Sequence, residues 1–339
     1  MRALLLMALL SMASPMVVNA ITMAELLEGS APGTIVYGTN DSSSQVIIPF
    51  LPTDVKGDGH RSAIVLIHGG GWTGGNPSVF FPAARYFASR GIPSFSIGYR
   101  LVRPGTKDPT VADCLADCRA AMRYLRSHST EYGIDPEKIA VLGDSAGGHL
   151  AACLGTIPDP QDSAGVSSSA NLMIPCNPIV DIGPGEGNTN SWFRVIQKGA
   201  AMEKYPTPEA IVPTFEQIAV AKSVSPIAFA SSKSAPALVM HGLDDTIVTP
   251  EQSQKFAEVL KAAGVPADLI LIPAARHAFI LPKYTASEQQ VVDAMRDVDR
   301  FLAKNGYLTG EPTLVVSPVP AWTPKPRPTP KSSPSPAVH

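Results

Sequence analysis

The sequence lacks several features that mark specialised classes of protein. Four cysteines among 339 residues are too few for a scaffold built on disulfides. The 27 basic and 29 acidic residues leave a net charge of -2, which gives no electrostatic reason to expect a nucleic acid or an anionic membrane as partner. No internal repeat is visible, and no Cys/His cluster has the spacing of a zinc site.

The sequence does contain enough apolar material for a large core. Apolar residues make up 45% of the chain and charged residues 17%, which excludes disorder throughout. At roughly 150 residues per domain the length favours about two domains, although one α/β unit can also reach this size. The 33 prolines are about twice the average usage, so part of the chain is expected to be non-globular.

Residues 1–20 are typical of a secretory signal peptide. One arginine precedes a leucine-rich stretch, and the segment ends on Val18-Asn19-Ala20, so we expect cleavage after Ala20 and a secreted or periplasmic protein. The alternative is an uncleaved anchor, which Pro15 disfavours because it interrupts the apolar run short of the roughly 20 residues that a span needs. We expect no membrane span after cleavage.

The other end of the chain is rich in proline. Residues 311–339 contain 9 of the 33 prolines, many alternating with small or basic residues, which predicts an extended, disordered tail. Such a tail could contact an acidic polymer or hold the protein off a surface. A solvated tail without a partner is the favoured alternative. A folded domain is therefore expected over residues 21–310.

Between the two ends, short β-branched runs alternate with amphipathic stretches. This alternation predicts an α/β fold with a mostly parallel central sheet and helices on both faces. Residues 181–225 are irregular and are interpreted as a small cap insertion. The predicted strands are 62–68, 92–99, 138–144, 171–180, 235–242 and 267–274, and the predicted helices are 79–91, 111–128, 146–155, 252–264 and 287–304.

The first candidate for chemistry is Ser145. It lies in Gly143-Asp144-Ser145-Ala146-Gly147, a G-x-S-x-G pattern between a predicted strand and a predicted helix, which is the context of a nucleophile elbow. The helix that begins at Ala146 would direct its amide dipoles to the point where negative charge develops. The alternative is a strand-to-helix turn of small residues without chemistry.

A second motif, His68-Gly69-Gly70-Gly71-Trp72, follows the first strong strand. Backbone N–H groups approach an oxyanion only where side chains are absent, so three glycines suit an oxyanion hole. The alternative is a plain glycine turn, and the loop lacks the Lys-Ser/Thr of a phosphate-binding loop. His68 itself is expected to order the loop rather than to transfer protons.

A nucleophilic serine needs a base and an acid that orients it. Beyond the strand at 235–242 only His277 and His339 remain, and His277 lies in the loop after the next strand. The loop after 235–242 offers Asp244 and Asp245 as the acid. The remaining candidates, His149 and His241, are expected to be packing or structural residues.

The four segments HGGGW, GDSAGGHLAA, HGLDDTIV and RHAF resemble the lipase/esterase branch of the α/β-hydrolase superfamily. This branch includes hormone-sensitive-lipase-like carboxylesterases and secreted acetyl xylan and feruloyl esterases, and the resemblance covers residues 34–304. It implies an α/β-hydrolase fold. Its H-G-x-x-D-x-x-V pattern implies that the acid is Asp245, with Asp244 as a minor alternative.

The resemblance also assigns roles around Ser145. It implies that the amides of Gly70, Gly71 and Ala146 form the oxyanion hole and that Asp144 helps to set the elbow. The catalytic residues are then Ser145, His277 and Asp245, in a triad that needs no metal and no organic cofactor.

The function that follows is that of a secreted serine carboxylesterase acting on short-chain acyl esters. Acetyl or feruloyl groups on polysaccharide are the natural extracellular substrates that the resemblance implies. One alternative is a serine amidase or peptidase on the same triad, such as a formamidase with a similar HGGxW. That enzyme is usually cytosolic, which residues 1–20 oppose. Another is a non-catalytic binding protein of the same fold, but such proteins usually lack a member of the triad.

The four cysteines leave their pairing open. Cys114 and Cys118 share one face of a predicted helix, where a bond between them would strain the helix. Cys153 and Cys176 fall on a predicted helix and strand. We expect mostly free, packed thiols.

Overall fold

The structure is a computed structural model that describes residues 20–41, 44–53, 60–103, 109–160, 165–182, 215–324 and 326. The expected signal peptide up to Asn19, residues 183–214 of the expected cap insertion, and most of the expected tail beyond residue 324 lie outside the described residues. The predicted signal peptide and its cleavage therefore stay predictions.

Strands and helices alternate along most of the described chain. The strands are β1 (Ile21–Thr22), β2 (Ile35–Val36), β3 (Val46–Phe50), β4 (Arg61–Ile67), β5 (Ser94–Ile97), β6 (Ile134–Asp144), β7 (Leu172–Cys176), β8 (Ala237–Gly242), β9 (Ala267–Ile272) and β10 (Leu314–Val315). The helices are α1 (Met23–Leu27), α2 (Phe81–Ser89), α3 (Val111–Ser127), α4 (Ser129–Tyr132), α5 (Ala146–Thr156), α6 (Phe215–Ser223), α7 (Pro250–Ala262) and α8 (Glu288–Lys304).

Eight strands form the central sheet in the order β2-β3-β5-β4-β6-β7-β8-β9. The pairs from β5 to β9 are parallel, whereas β2 and β3 are antiparallel to their neighbours. The predicted, mostly parallel sheet is confirmed. The sequence did not predict β2, which has only two residues, or β3, which contains Pro49, a residue that is rare inside a sheet because it cannot donate a ladder hydrogen bond.

Successive residues of β4 face opposite sides of the sheet, and both sides are covered. Val65 and Ile67 belong to the cluster that α3, α5 and α7 cover, whereas Ile64 and Leu66 belong to the cluster that α1, α2 and α8 cover. All four side chains are fully buried, and burial of each such side chain stabilises the fold by roughly 1.5–3 kcal/mol. An uninterrupted apolar run is the pattern of a parallel strand buried on both faces.

The expected boundary of the disordered tail at residue 311 is wrong for residues 311–324. Strand β10 pairs in parallel with β1, and Leu314 is fully buried. The Glu288 carboxylate at the start of α8 accepts the Ser317 N–H at 2.6 Å. The Trp322 indole N–H donates to the Ala286 carbonyl at 2.9 Å. The proline content of residues 311–339 therefore did not reveal that the first part of this segment packs on the fold through apolar side chains such as Leu314.

Three further features bear on the predictions. All four cysteines are free and buried, as expected, and burial raises the pKa of each thiol. Part of the region interpreted as a cap, residues 215–223, is helix α6. Within the described ranges, no helix combines the length and the apolar character that a membrane span requires.

Candidate active site

Ser145 lies at a sharp turn between the end of β6 and the start of α5. Its backbone has φ 56° and ψ -119°, a region that side-chain-bearing residues rarely adopt and that costs about 1–3 kcal/mol. A Cβ atom placed on Gly143 would lie 2.1 Å from the carbonyl oxygen of Gly147, so no side chain fits at that position. The geometry of the turn is therefore the one that the G-x-S-x-G pattern predicted, with the serine at its apex.

His277 connects to Ser145 across the carboxyl ends of the strands. It lies in the loop after β9, and its Nε2 is 2.9 Å from the Ser145 Oγ. Its Nδ1 is 2.7 Å from the Asp245 Oδ2. The carboxylate can only accept, so Nδ1 carries the hydrogen and Nε2 accepts the serine hydroxyl. The imidazole is thus the correct tautomer for a base acting on Ser145.

Asp245 lies in the loop after β8 and is buried. Its Oδ1 accepts the N–H groups of Ile247 at 2.8 Å and Val248 at 3.0 Å, which leaves Oδ2 for His277. Asp244 is half-buried, and its backbone N–H donates to the Ala275 carbonyl at 2.9 Å. Of the two candidate acids, the structure places Asp245 against the histidine.

The glycine loop after β4 lies against the serine turn. A Cβ atom on Gly69 would lie 2.7 Å from the carbonyl oxygen of Asp144 and 3.1 Å from the Ser145 Cβ. Gly70 has φ +116°, and a Cβ atom there would lie 2.2 Å from the Gly74 carbonyl oxygen. Glycine is therefore required for the loop to fold back and approach Ser145. Gly70 and Gly71 follow Gly69 in this loop and Ala146 follows the serine, and the role of these three residues as oxyanion donors stays a prediction.

His68 holds the base of this loop. Its Nδ1–H donates to the Gly69 carbonyl at 2.8 Å, and its ring stacks on Tyr99 with ring centres 4.4 Å apart. The Tyr99 hydroxyl donates to the His68 carbonyl at 2.8 Å. Burial lowers the pKa of His68 to about 4, so the ring is neutral near pH 7. These contacts agree with the expected ordering role.

A link through His149 was not anticipated from the sequence. The Trp72 indole N–H donates to His149 Nδ1 at 3.2 Å, and His149 Nε2–H donates to the Val224 carbonyl at 2.6 Å. Burial lowers the pKa of His149 to about 4, so both bonds use the neutral ring. The glycine loop, helix α5 and the segment after α6 are thereby tied together. The only signal in the sequence was that both residues belong to the quoted motifs.

Charges around His277 favour its protonated form. Burial alone would lower the pKa of His277, but the hydrogen bond to Asp245 and the negative charges of Asp144 and Asp245 outweigh burial and raise it. Burial would also raise the pKa of Asp245, but hydrogen bonds from His241, His277 and the Ile247 amide hold it well below its usual range. Asp245 is therefore a carboxylate at any working pH.

Backbone strain is concentrated in the same loops. The non-glycine residues with positive φ include Trp72, Ser145, Asn177, Ala274 and Ala278, and each follows the carboxyl end of a sheet strand. Such conformations persist where surrounding contacts over-determine them, which is typical of functional sites. Among the described residues, no group of three or more His, Cys, Asp or Glu side chains is arranged to hold a metal ion.

Three comparisons place this geometry among known proteins. The family model BD-FAE matches residues 50–260. A probable carboxylic ester hydrolase of Mycobacterium tuberculosis, LipM, is 28% identical over 80% of this chain and 61% of its own length. The ethyl acetate hydrolase of Pseudomonas putida is 28% identical over 65% of this chain and 66% of its own length. The chain spans only about half to two-thirds of such curated relatives.

Among solved structures, the thermophilic esterase Est2 of the planctomycete Thermogutta terrifontis is similar over most of both chains. Its TM-score is 0.68 at 32% identity, with 82% of this chain and 94% of the esterase covered. That esterase has also been solved with propionate bound, with butyrate bound and phosphorylated by paraoxon.

Proposed function

Since the chain belongs to the BD-FAE family and to the lipase/esterase branch of the α/β-hydrolase superfamily, we propose that it is a carboxylic ester hydrolase with Ser145 as its nucleophile. The observation that carries the proposal is the continuous hydrogen-bonded chain from Asp245 through His277 to Ser145. Three residues from three separate loops meet with the distances and the tautomer that nucleophilic catalysis needs.

The proposed reaction has two halves. The Ser145 Oγ attacks the ester carbonyl carbon while its proton passes to His277 Nε2, and the carbonyl electrons move to the oxygen. Collapse of this intermediate breaks the bond to the alcohol, which takes the proton from His277. Water then attacks the acyl-enzyme in the same manner and releases the acid. Asp245 keeps Nδ1 protonated and stabilises the imidazolium that forms in each half.

The oxyanion of each tetrahedral intermediate would be held by the amides of Gly70, Gly71 and Ala146. Two facts support this part of the proposal. The glycine loop lies against the serine turn at Gly69, and Ala146 is the first residue of α5, where helix N–H groups have no partner within the helix. Each donor of this kind contributes roughly 10²–10³-fold to turnover in hydrolases of this chemistry.

Substitution of Ser145 tests the nucleophile. Ser145→Ala should reduce kcat for p-nitrophenyl acetate by several orders of magnitude, on the order of 10⁶-fold, because no other group can form the acyl-enzyme. Ser89→Ala, in an exposed position on α2, is the control and should leave kcat unchanged. Paraoxon should label the wild-type protein at Ser145, as mass spectrometry of the digested protein would show. Near-normal turnover by Ser145→Ala would rule the proposal out.

The substrate class is proposed to be short-chain acyl esters. The ethyl acetate hydrolase and the propionate- and butyrate-bound forms of Est2 concern short acyl groups, and they support the proposal by similarity. The signal-like residues 1–20 favour export from the cytoplasm, where acetyl or feruloyl groups of polysaccharide would be natural substrates. No part of this proposal requires a metal or an organic cofactor.

A substrate panel separates these possibilities. The full chain would be assayed on p-nitrophenyl acetate, p-nitrophenyl octanoate, methyl ferulate and acetylated xylan, with Ser145→Ala as the control. Ser145-dependent release of acetate from xylan would support the polysaccharide proposal, whereas turnover of the nitrophenyl esters alone would refute it. Hydrolysis of N-formyl amides in preference to every ester would instead favour an amidase. Cell fractionation of the expressed chain, with N-terminal sequencing, would test export and cleavage after Ala20.

A further inference from the structure

A second histidine contacts the proposed catalytic acid. His241 lies near the end of β8, four residues before Asp245, and is fully buried. Its Nε2 is 3.3 Å from the Asp245 Oδ2, the same oxygen that His277 Nδ1 approaches to 2.7 Å. The structure thus places an imidazole on either side of one carboxylate oxygen. The sequence had suggested only a structural role for this residue.

The neighbours of His241 determine which nitrogen carries the hydrogen. Nε2 is also 2.9 Å from the Val248 carbonyl oxygen, and both this oxygen and the Asp245 carboxylate can only accept, so Nε2 must be a donor. Nδ1 is 2.6 Å from the hydroxyl of Ser253 on α7, which can donate to it. Both nitrogens of a neutral imidazole therefore have partners, and the single N–H is shared between the Val248 carbonyl at 2.9 Å and the Asp245 Oδ2 at 3.3 Å.

We infer that His241 is a positioning residue for the reaction: its Nε2–H holds the Asp245 carboxylate in the orientation that serves His277. Two amides contact Oδ1 and two imidazoles contact Oδ2, so the carboxylate is held at both oxygens. Val248 takes part twice, because its N–H binds Oδ1 and its carbonyl accepts from His241. The inference rests on the proposed triad and adds a residue to it.

The contact with His241 also affects the charge of Asp245. A donor on Oδ2 withdraws part of the negative charge that stabilises protonated His277. Removal of this donor should therefore raise the pKa of His277 and shift the acid limb of kcat/KM to higher pH. The charged or titratable groups that act on this site from the adjoining elements are Asp144 at the end of β6, Glu251 at the start of α7, Asp245 and His277.

The experiment compares two substitutions in the full chain. His241→Gln keeps a side-chain N–H at the position of Nε2 but does not titrate, whereas His241→Leu keeps the bulk and removes the donor. We expect His241→Leu to lower kcat for p-nitrophenyl acetate by roughly tenfold with KM changed by less than about twofold. Its acid limb should move to higher pH. His241→Gln should recover most of kcat and the wild-type limb.

One control and one substitute variant keep the result interpretable. His128→Gln replaces a half-buried histidine at the end of α3, whose ring contacts the Tyr124 carbonyl, and should leave the pH profile unchanged. If His241→Leu does not fold, Ser253→Ala removes the hydroxyl that anchors Nδ1 and should move kcat and the acid limb in the same directions, by about threefold in kcat.

The outcomes separate the inference from the proposed function. A wild-type protein that neither turns over esters nor is labelled by paraoxon would refute the proposed function itself. Turnover lost in Ser145→Ala but retained in His241→Leu would refute only the inference. Equal losses in the Leu and Gln variants with an unmoved acid limb, matched by a fall in folded protein, would reduce His241 to a structural residue and also overturn it.

Discussion

The end of β6 and the loop after β8 each bury an aspartate near His277, yet the pKa values of the two carboxyl groups are shifted in opposite directions. Asp245 receives two amide N–H groups and approaches two imidazoles, and its pKa is held low despite burial. Asp144 is as deeply buried and accepts a 2.7 Å hydrogen bond from the Asn177 amide. Burial raises the pKa of Asp144 to about 6, against the charge of His277 and the Asn177 bond.

The difference shows that burial alone does not set the state of a carboxyl group. Desolvation penalises the charged form in both loops, and the number of N–H donors that face the carboxylate decides whether that penalty is overcome. One loop thereby supplies a permanent anion to orient His277, and the other supplies an anion that disappears a little below neutral pH. Pairs of acids separated in this way often mark distinct roles in a site.

The largest effect is expected from replacing the carboxylate of Asp245 by a neutral amide. In Asp245→Asn the amides of Ile247 and Val248 would hold the new oxygen at the position of Oδ1, so the new NH₂ group would face His277 Nδ1. The histidine would then carry its hydrogen on Nε2 and could not accept from Ser145. We expect kcat to fall by about 10³–10⁴-fold, measured with p-nitrophenyl acetate.

Asp244→Asn is the matched control for that substitution. It changes the neighbouring, half-buried aspartate, whose backbone N–H donates to the Ala275 carbonyl, and should keep turnover within about threefold of the wild-type value. A larger loss in Asp244→Asn than in Asp245→Asn would reverse the assignment of the acid.

A smaller effect is expected from removing the negative charge of Asp144. Asp144→Asn removes a negative charge that raises the pKa of His277, so the acid limb of kcat/KM should move to lower pH. In the wild-type chain this limb is expected above pH 6.5, the ordinary value for histidine, because the neutral imidazole is the active form. At pH 8 kcat should stay within roughly tenfold of wild type. An unmoved limb would show that Asp144 does not act on His277 electrostatically.

The same variant has a predicted effect on stability. The folded-state pKa of Asp144 is raised to about 6 from an ordinary 3.8. Stability contributed by the protonated carboxyl is therefore fully present below about pH 3.8 and is lost as the pH rises through 6. Asp144→Asn avoids burial of the charge, so its Tm should exceed that of the wild type at pH 8 and approach it at pH 4. Thermal unfolding at the two pH values measures this crossover.

The smallest effect is expected from the donor on Asp144. Asn177→Ala removes the N–H that partly stabilises the Asp144 anion, so the pKa of Asp144 should rise further and less negative charge should face His277 near neutral pH. The acid limb of kcat/KM should move to lower pH, by less than in Asp144→Asn. The control is Asn171→Ala, near the amino end of β7, where the side chain accepts from Ile139 and Arg126. It should reduce Tm without moving the limb, and a shift of similar size in both variants would contradict the mechanism.

Much of the fold was predictable because its signals are local. The apolar run of β4 and the helical spacing of α3 each reflect which side chains a strand or a helix must bury, and neither depends on distant residues. The elbow at Ser145 was predictable for the same reason, because its turn leaves no room for a side chain at the positions two residues before and after the serine, Gly143 and Gly147. The short strands β1, β2 and β10 were missed because two-residue strands have no period to detect.

The amino-acid sequence by itself determined the serine, the histidine and the order of strands and helices that carries them to one edge of a sheet. Only the tertiary structure decided that His241 shares an oxygen of Asp245 with His277, and that residues 311–324 pack against α8 and β1. The physical reason is that each of these outcomes depends on donors and surfaces supplied from distant parts of the chain. The state of Asp144, for example, depends on Asn177, which lies 33 residues away in sequence and 2.7 Å away in space.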